Sequence, residues 1–159
     1  MADTMNAMAE RIIAGADDAI IVADRDGVIR LWNAAAERIL GFPADQALGG
    51  TLDLIIPEKH REVHWRGYDK VMETGQTKYA GSLLAVPALK ADGSRISVEF
   101  TVNLLYDDNG AVDGIAAIMR DVTERFQQQR ALQRELAGLR ARTADTSPAN
   151  DQGPAPAAR

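Results

Sequence analysis

His60 and His64 are the only histidines in the chain, and a spacing of four places both on one face of a helix. That is the geometry of a two-histidine metal site, but a protein zinc site needs at least a third ligand. Glu58 and Glu62 stand nearby in sequence and face elsewhere on such a helix, so the plainer reading of the pair is a polar turn. Three carboxylate pairs, Asp17 with Asp18, Asp24 with Asp26 and Asp107 with Asp108, could support acid–base work. All three sit in turn signals, where aspartates cap and solvate the chain. No Ser-His-Asp order, phosphate-binding loop or glycine-rich dinucleotide fingerprint occurs. The chain is therefore expected not to be an enzyme in its own right. It has no cysteine, which excludes disulfides, thiolate metal sites, cysteine nucleophiles and cysteine-linked photochemistry together. Trp32 and Trp65 could stack a flavin, although aromatic residues beside a core more often serve packing.

Bulk properties narrow the field further. At 159 residues the chain has room for one ordinary domain and an appendage. Its 46% hydrophobic and 26% charged residues are the balance of a soluble globular protein. A net charge of −5 and the lack of any basic run give no support to a nucleic-acid partner. No stretch approaches the roughly 18 apolar residues of a membrane span, and residues 1–10 have no apolar run of signal-peptide length. The expected setting is the cytoplasm, without a membrane partner.

The elements that must position any site follow from periodicity. Met5, Met8 and Ile12 share one helical stripe, so residues 1–14 read as a short amphipathic helix stopped at Gly15. Residues 19–23 form a β-branched run, Asp24-Arg25-Asp26-Gly27 is a hairpin turn signal, and residues 28–32 return as a strand. Asn33 is a good N-cap for a helix over 34–40 that ends at Gly41. Residues 43–56 break into short pieces, whereas 57–74 predict a helix with a proline at its start and Gly75 beyond its end. Residues 79–89 read as an apolar strand in which Pro87 argues for an edge or a bulge. In the next strand Ile96, Val98, Phe100, Val102 and Leu104 alternate with Ser97, Glu99, Thr101 and Asn103, giving one core face and one wet face. A turn at residues 107–110 leads to a last strand over 112–119. Hairpin signals at both ends favour an antiparallel α+β sheet. Beyond Arg120, residues 122–142 predict a helix whose Leu132, Leu136 and Leu139 follow the four-then-three spacing of a packing seam. Residues 143–159, rich in Pro, Ala, Ser and Asp, predict a disordered tail.

The hairpin ending in Trp32-Asn33, the Ala-Ala-Ala-Glu-Arg-Ile-Leu-Gly-Phe run through Phe42, the Lys90-Ala-Asp92-Gly93 turn and the Met119-Arg120-Asp121-Val122-Thr123 junction fall in one order. Together they resemble the PAS family, over roughly residues 11–123. The resemblance implies a five-stranded antiparallel sheet with helices over one face, flanked by N- and C-terminal helices. It assigns 15–121 to the sensor domain, 1–14 to a leading helix and 122–142 to an output helix. It also implies a pocket signal passed out through the last strand, with Asp121 and Thr123 as a hydrogen-bonded hinge, as helix caps, or as both.

Residues 56–64 further resemble the ligand helix of the haem-binding PAS domains of rhizobial oxygen-sensing kinases and oxygen-regulated phosphodiesterases. There the proximal histidine lies seven residues after a proline, as His64 lies after Pro57. The resemblance makes haem b the leading cofactor, His64 its axial ligand, and a diatomic gas or a redox change the signal. Gly67, unfavourable in a helix by about 1 kcal/mol, fits a flat group close by, or relief of crowding against the sheet. Lys70 and Lys78 fall where that group has basic residues near the propionates. The helix face of His64, Tyr68 and Val71 and the inward sheet residues Leu84, Ile96, Val98 and Ile118 are the expected lining. Leu84 replaces an arginine of the oxygen sensors, and Ser82 a methionine of the phosphodiesterase type. The alternatives are a flavin, an organic metabolite, or a cofactor-free interaction domain. A homodimer and a downstream signalling protein are the expected partners.

Overall fold

The computed structural model describes residues 2–77 and 82–145. Lys78, Tyr79 and Ala80 therefore lie outside the described residues, as does everything after Asp145. The chain divides into two units, one ending at Thr123 and the other starting at Glu124.

The first unit opens with α1 (Ala2–Gly15) and continues through β1 (Ala19–Asp24), β2 (Ile29–Trp32), α2 (Ala34–Leu40) and α3 (Ala44–Ala47). A single 3₁₀ turn (Leu52–Leu54) precedes α4 (Glu58–Thr74), β3 (Leu84–Leu89), β4 (Arg95–Tyr106) and β5 (Val112–Asp121). The five strands form one antiparallel sheet in the order β2-β1-β5-β4-β3. Pro87 lies in the edge strand β3, where a missing amide hydrogen costs no ladder bond. Among the described residues its pairing with β4 begins at Leu84 opposite Phe100, so Ser82 and Leu83, expected within the strand, lie outside it.

The local devices are those the residue types dictate. Asp24 Oδ1 accepts from the amides of Asp26 and Val28, each at 3.0 Å, and so closes the first hairpin. Asn33 caps α2 by accepting from the Ala36 amide, and Gly41 ends that helix in the left-handed region. Pro57 occupies the N-cap of α4, and Gly75, at φ +65°, ends it.

Strand parity decides which residues enter the core. Ala19, Ile21, Ile29, Trp32, Ala88, Ile96, Val98 and Met119 pack with Ala36, Leu40, Ala47 and Ile55 on one face of the sheet. Ile21, Ile29, Leu40 and Val98 are the largest side chains wholly removed from water, each contributing roughly 1.5–3 kcal/mol. A second cluster, Tyr68, Met72 and Val112 with Trp65, Leu104, Ile115 and Leu52 beside it, seats α4 on the same face.

The second unit is dominated by α5 (Thr123–Asp145), along which Leu132, Leu136 and Leu139 are exposed. Residues 143–145, expected in the tail, are helical. Among the described residues no helix is long and apolar enough to cross a membrane.

Candidate functional site

Helix α4 is fixed to the sheet by polar contacts at its inner positions. The Tyr68 hydroxyl donates to the Asp24 carbonyl, and the Trp65 indole N–H donates to Asp53 Oδ1 at 2.8 Å. Arg25, in the first hairpin turn, donates to the Val112 carbonyl at 2.6 Å and to the Met72 carbonyl at 3.2 Å. One turn residue thus ties α4 to the start of β5. Burial, reinforced by the charges of Asp24 and Asp26, pushes the Tyr68 phenol well above its ordinary pKa, so it stays a neutral donor.

His64 sits beside this anchored face. Its ring meets Trp65 edge-on at 5.0 Å and Tyr68 at 5.7 Å between centroids. Its Nδ1 is buried and has no hydrogen-bond partner among the described residues. Burial lowers the imidazole pKa, with the Asp53 carboxylate opposing, so the ring is neutral at pH 7. A neutral imidazole is the form that ligates a metal. His60 is exposed, and among the described residues no group of three His, Cys, Asp or Glu side chains could hold a metal ion.

The other expected site residues are distributed unevenly. Gly67 is exposed, and a Cβ there would meet nothing within 4 Å, so crowding against the sheet does not account for it. Lys70 is exposed and Val71 half-buried, while Lys78 lies outside the described residues. Ile96 and Val98 belong to the main core rather than to the cluster around Tyr68. Ile118 corrects the sequence reading: it is 40% exposed on the opposite face of the sheet. Met119 takes the inward position of β5, opposite Ala19 and Phe100, and strict alternation turns Ile118 outward. Trp32 is buried in the core with its indole N–H bonded to the Phe42 carbonyl, which removes it as a stacking platform.

The inward face of the sheet is not sealed evenly. Its β1–β2 side is dry, whereas Leu84, Phe100, Val102 and Leu104 are only half-buried, and Val86, opposite the buried Val98, is 41% exposed. Near the end of α4 an open-sided cavity of about 550 Å³ is lined by Gly75, Gln76, Thr77, Val102, Asn103, Leu104 and Tyr106. Val102 and Leu104 were legible as inward residues of an alternating strand. Arg25, Asp53 and Trp65 carried no such periodic signal as site residues.

At the far end of the sheet, Asp121 Oδ1 accepts from the Thr123 amide at 2.9 Å and from its hydroxyl at 2.6 Å. Thr123 Oγ1 in turn accepts from the Ser97 amide at 2.9 Å, and the Val122 amide donates to the Ser97 carbonyl at 2.8 Å. The last residues before Glu124 are thereby tied to the start of β4.

This antiparallel sheet with short helices on one face is matched by the family model described as PAS fold, over residues 14–127. The chain belongs to the PAS family. Among curated relatives, this PAS domain is 28% identical to Sensor protein FixL of Bradyrhizobium diazoefficiens, over 73% of this chain and 23% of that protein. It is 25% identical to Oxygen sensor protein DosP of Escherichia coli, over 75% of this chain and 15% of that one. The chain thus spans less than a quarter of the length of either relative. Among solved structures, a PAS domain from Colwellia psychrerythraea superposes with a TM-score of 0.66 at 22% identity, covering 76% of this chain and 98% of that one. PAS domains are typically sensory, non-catalytic modules.

Proposed function

We propose that this PAS domain is a sensor whose ligand is haem b, held by His64 on α4, and that a change at the ligand passes through β5 and the Asp121–Thr123 junction to α5. The observation that carries the reading is the buried, unpartnered Nδ1 of a neutral His64. A buried polar atom without a partner costs about 1–3 kcal/mol, and a ligand that engages this imidazole removes that cost. One imidazole on α4 is a single-point donor set, and the inward side chains Leu84, Val86 and Phe100 are incompletely covered, which supports a planar apolar group with one metal-coordination requirement. When bound, haem iron supplies a centre that responds to a diatomic gas or to a one-electron change. The names of the two relatives, a sensor protein and an oxygen sensor protein, point the same way. Lys70, exposed on α4, offers a cation to an anionic edge of the ligand. The protein's own part is to hold His64 neutral, keep the inward wall apolar and bias two packings of sheet and junction by population shift. The module is proposed to work in the cytoplasm without chemistry of its own, handing its signal to a downstream signalling protein.

A titration of the purified chain with hemin, followed by Soret absorbance, tests this. Wild type and His60→Ala should bind one equivalent, and His64→Ala should bind none. Unchanged uptake in His64→Ala removes the site, and no Soret band in wild type removes haem. The second reading is a cofactor-free interaction domain acting as a homodimer. The exposed side chains of Met5, Met8 and Ile12 on α1 favour it, as do those of Leu132, Leu136 and Leu139 on α5.

A further inference from the structure

The central strand pair of the sheet begins and ends its traffic at one place. β1 and β5 are antiparallel neighbours with Ala19 opposite Met119, so the residues that follow α1 lie beside the residues that lead out of β5. Two side chains join them. Arg120 donates from Nε and Nη2 to the two carboxylate oxygens of Asp18, at 2.8 and 2.7 Å. The bidentate geometry fixes direction as well as distance.

On the α1 side, the contact continues into a buried residue. Asn33, 6% exposed, donates from Nδ2 to the Asp18 carbonyl at 3.1 Å and to the Ile13 carbonyl, in the last turn of α1, at 3.0 Å. Its Oδ1 accepts from the amides of Ile20 and Ala36 at 2.9 and 3.0 Å. Two donors and two acceptor positions are the whole capacity of an asparagine amide, so Asn33 has no slack in which to reorient alone. On the other side, Arg120 precedes Asp121, which holds Thr123, which holds Ser97. A contiguous path of polar contacts and one peptide bond therefore runs from Ile13 through Asn33, Asp18, Arg120 and Asp121 to Thr123. The Asp18–Arg120 step stands at the surface, with side-chain exposures of 30% and 69%, and is the easiest link to break.

We propose that the Asp18–Arg120 pair couples the end of α1 to the exit of β5, making α1 a second signalling element of the module. A force or partner acting on residues 2–15 would shift the Asp121–Thr123 junction, and a change at the junction would loosen the end of α1, since coupling between sites is reciprocal. The inference is independent of which ligand the domain binds. Contiguity alone does not establish coupling, so the test measures it.

Amide exchange is followed by mass spectrometry in the full chain, with the lesion placed at the junction as Thr123→Val, or as Asp121→Asn should the first variant not fold. In the wild-type background, exchange at residues 12–20 should rise by up to about fivefold, the most that an exposed ion pair of this kind carries. In an Asp18→Asn background the same lesion should leave those residues unchanged. The reversed pair, Asp18→Arg with Arg120→Asp, should restore the response. An equal rise with and without Asp18, or no rise in wild type, overturns the coupling. So does a rise shared equally by the core amides of Ile21 and Val98, or a reversed pair that leaves the response absent.

Discussion

Trp65 donates its indole N–H to Asp53 Oδ1 at 2.8 Å while its ring occupies the space where a side chain on Gly27 would stand. Gly27 also has φ +75°, in the left-handed region. Helix α4 and the first hairpin turn therefore touch through a glycine that two independent constraints demand. Gly27→Ala should lose about 1–2 kcal/mol for the left-handed backbone and about 1–3 kcal/mol for overpacking against the ring. Chemical denaturation of Gly27→Ala in wild-type and Trp65→Ala backgrounds separates the two. Only the backbone part should survive without the indole, and an identical loss in both would show that the ring does not press on the turn.

The Asp18–Arg120 pair has a pH signature. The hydrogen bonds from Arg120 hold the Asp18 carboxyl below the usual carboxylate range, with burial opposing and the Arg120 charge adding to the lowering. The unfolded chain then binds a proton at Asp18 at higher pH than the folded chain does. The contribution is fully present above the ordinary carboxylate pKa of about 4 and is lost as pH falls through the lowered folded value. Glu99, paired with Arg120 across the strands, adds its charge to the same cation. Comparing thermal stability of wild type and Asp18→Asn from pH 7 to 3 should show a wild-type advantage of under about 1 kcal/mol at pH 7. That advantage should shrink towards pH 3. An advantage that grows on acidification would contradict the assignment.

Dimerisation is expected to run through α5. Leu132, Leu136 and Leu139 are 61%, 52% and 48% exposed along a four-then-three seam, a poor surface to leave in water. Sedimentation should give a dimer for wild type and a monomer for Leu136→Glu, with the melting of the PAS domain itself little changed. A wild-type monomer removes the dimer. A large thermal loss in a monomeric Leu136→Glu would mean that the helix folds back on its own domain.

How legible each feature was depends on how local its cause is. The facing of β4 was readable because Ile96, Val98, Phe100, Val102 and Leu104 alternate without interruption, and Asn33 because an N-cap is decided within three residues. Ile118 was not readable. In the run Ile115-Ala116-Ala117-Ile118-Met119 every residue is apolar, so periodicity says nothing, and the facing comes from pairing with β1 and β4. His64 was readable as a helical residue after Pro57, but its unpartnered Nδ1 depends on how α4 falls across the hairpin turn. The contacts of Trp65 with Asp53 and Gly27, and of Arg25 with Met72 and Val112, join distant positions and leave no local trace.

The junction into α5 rests on one hydroxyl that serves in both directions. Thr123 Oγ1 accepts from the Ser97 amide at 2.9 Å and donates its own hydrogen to Asp121 Oδ1 at 2.6 Å. Valine has the same shape and neither capacity, so Thr123→Val leaves the Ser97 amide without an acceptor in a partly buried position. The expected cost is about 1–2 kcal/mol, most of it the desolvation of that amide, with faster exchange at Ser97. Thr123→Ser keeps the oxygen and should hold Ser97 exchange near the wild-type rate, losing only the packing of a methyl group. A loss in Thr123→Ser with none in Thr123→Val would assign the role to the methyl group rather than the hydroxyl. Protected Ser97 exchange in Thr123→Val would mean that the Val122 amide bond to the Ser97 carbonyl is enough to hold the junction by itself. The hydroxyl would then have no part in carrying a change in the sheet out of β5.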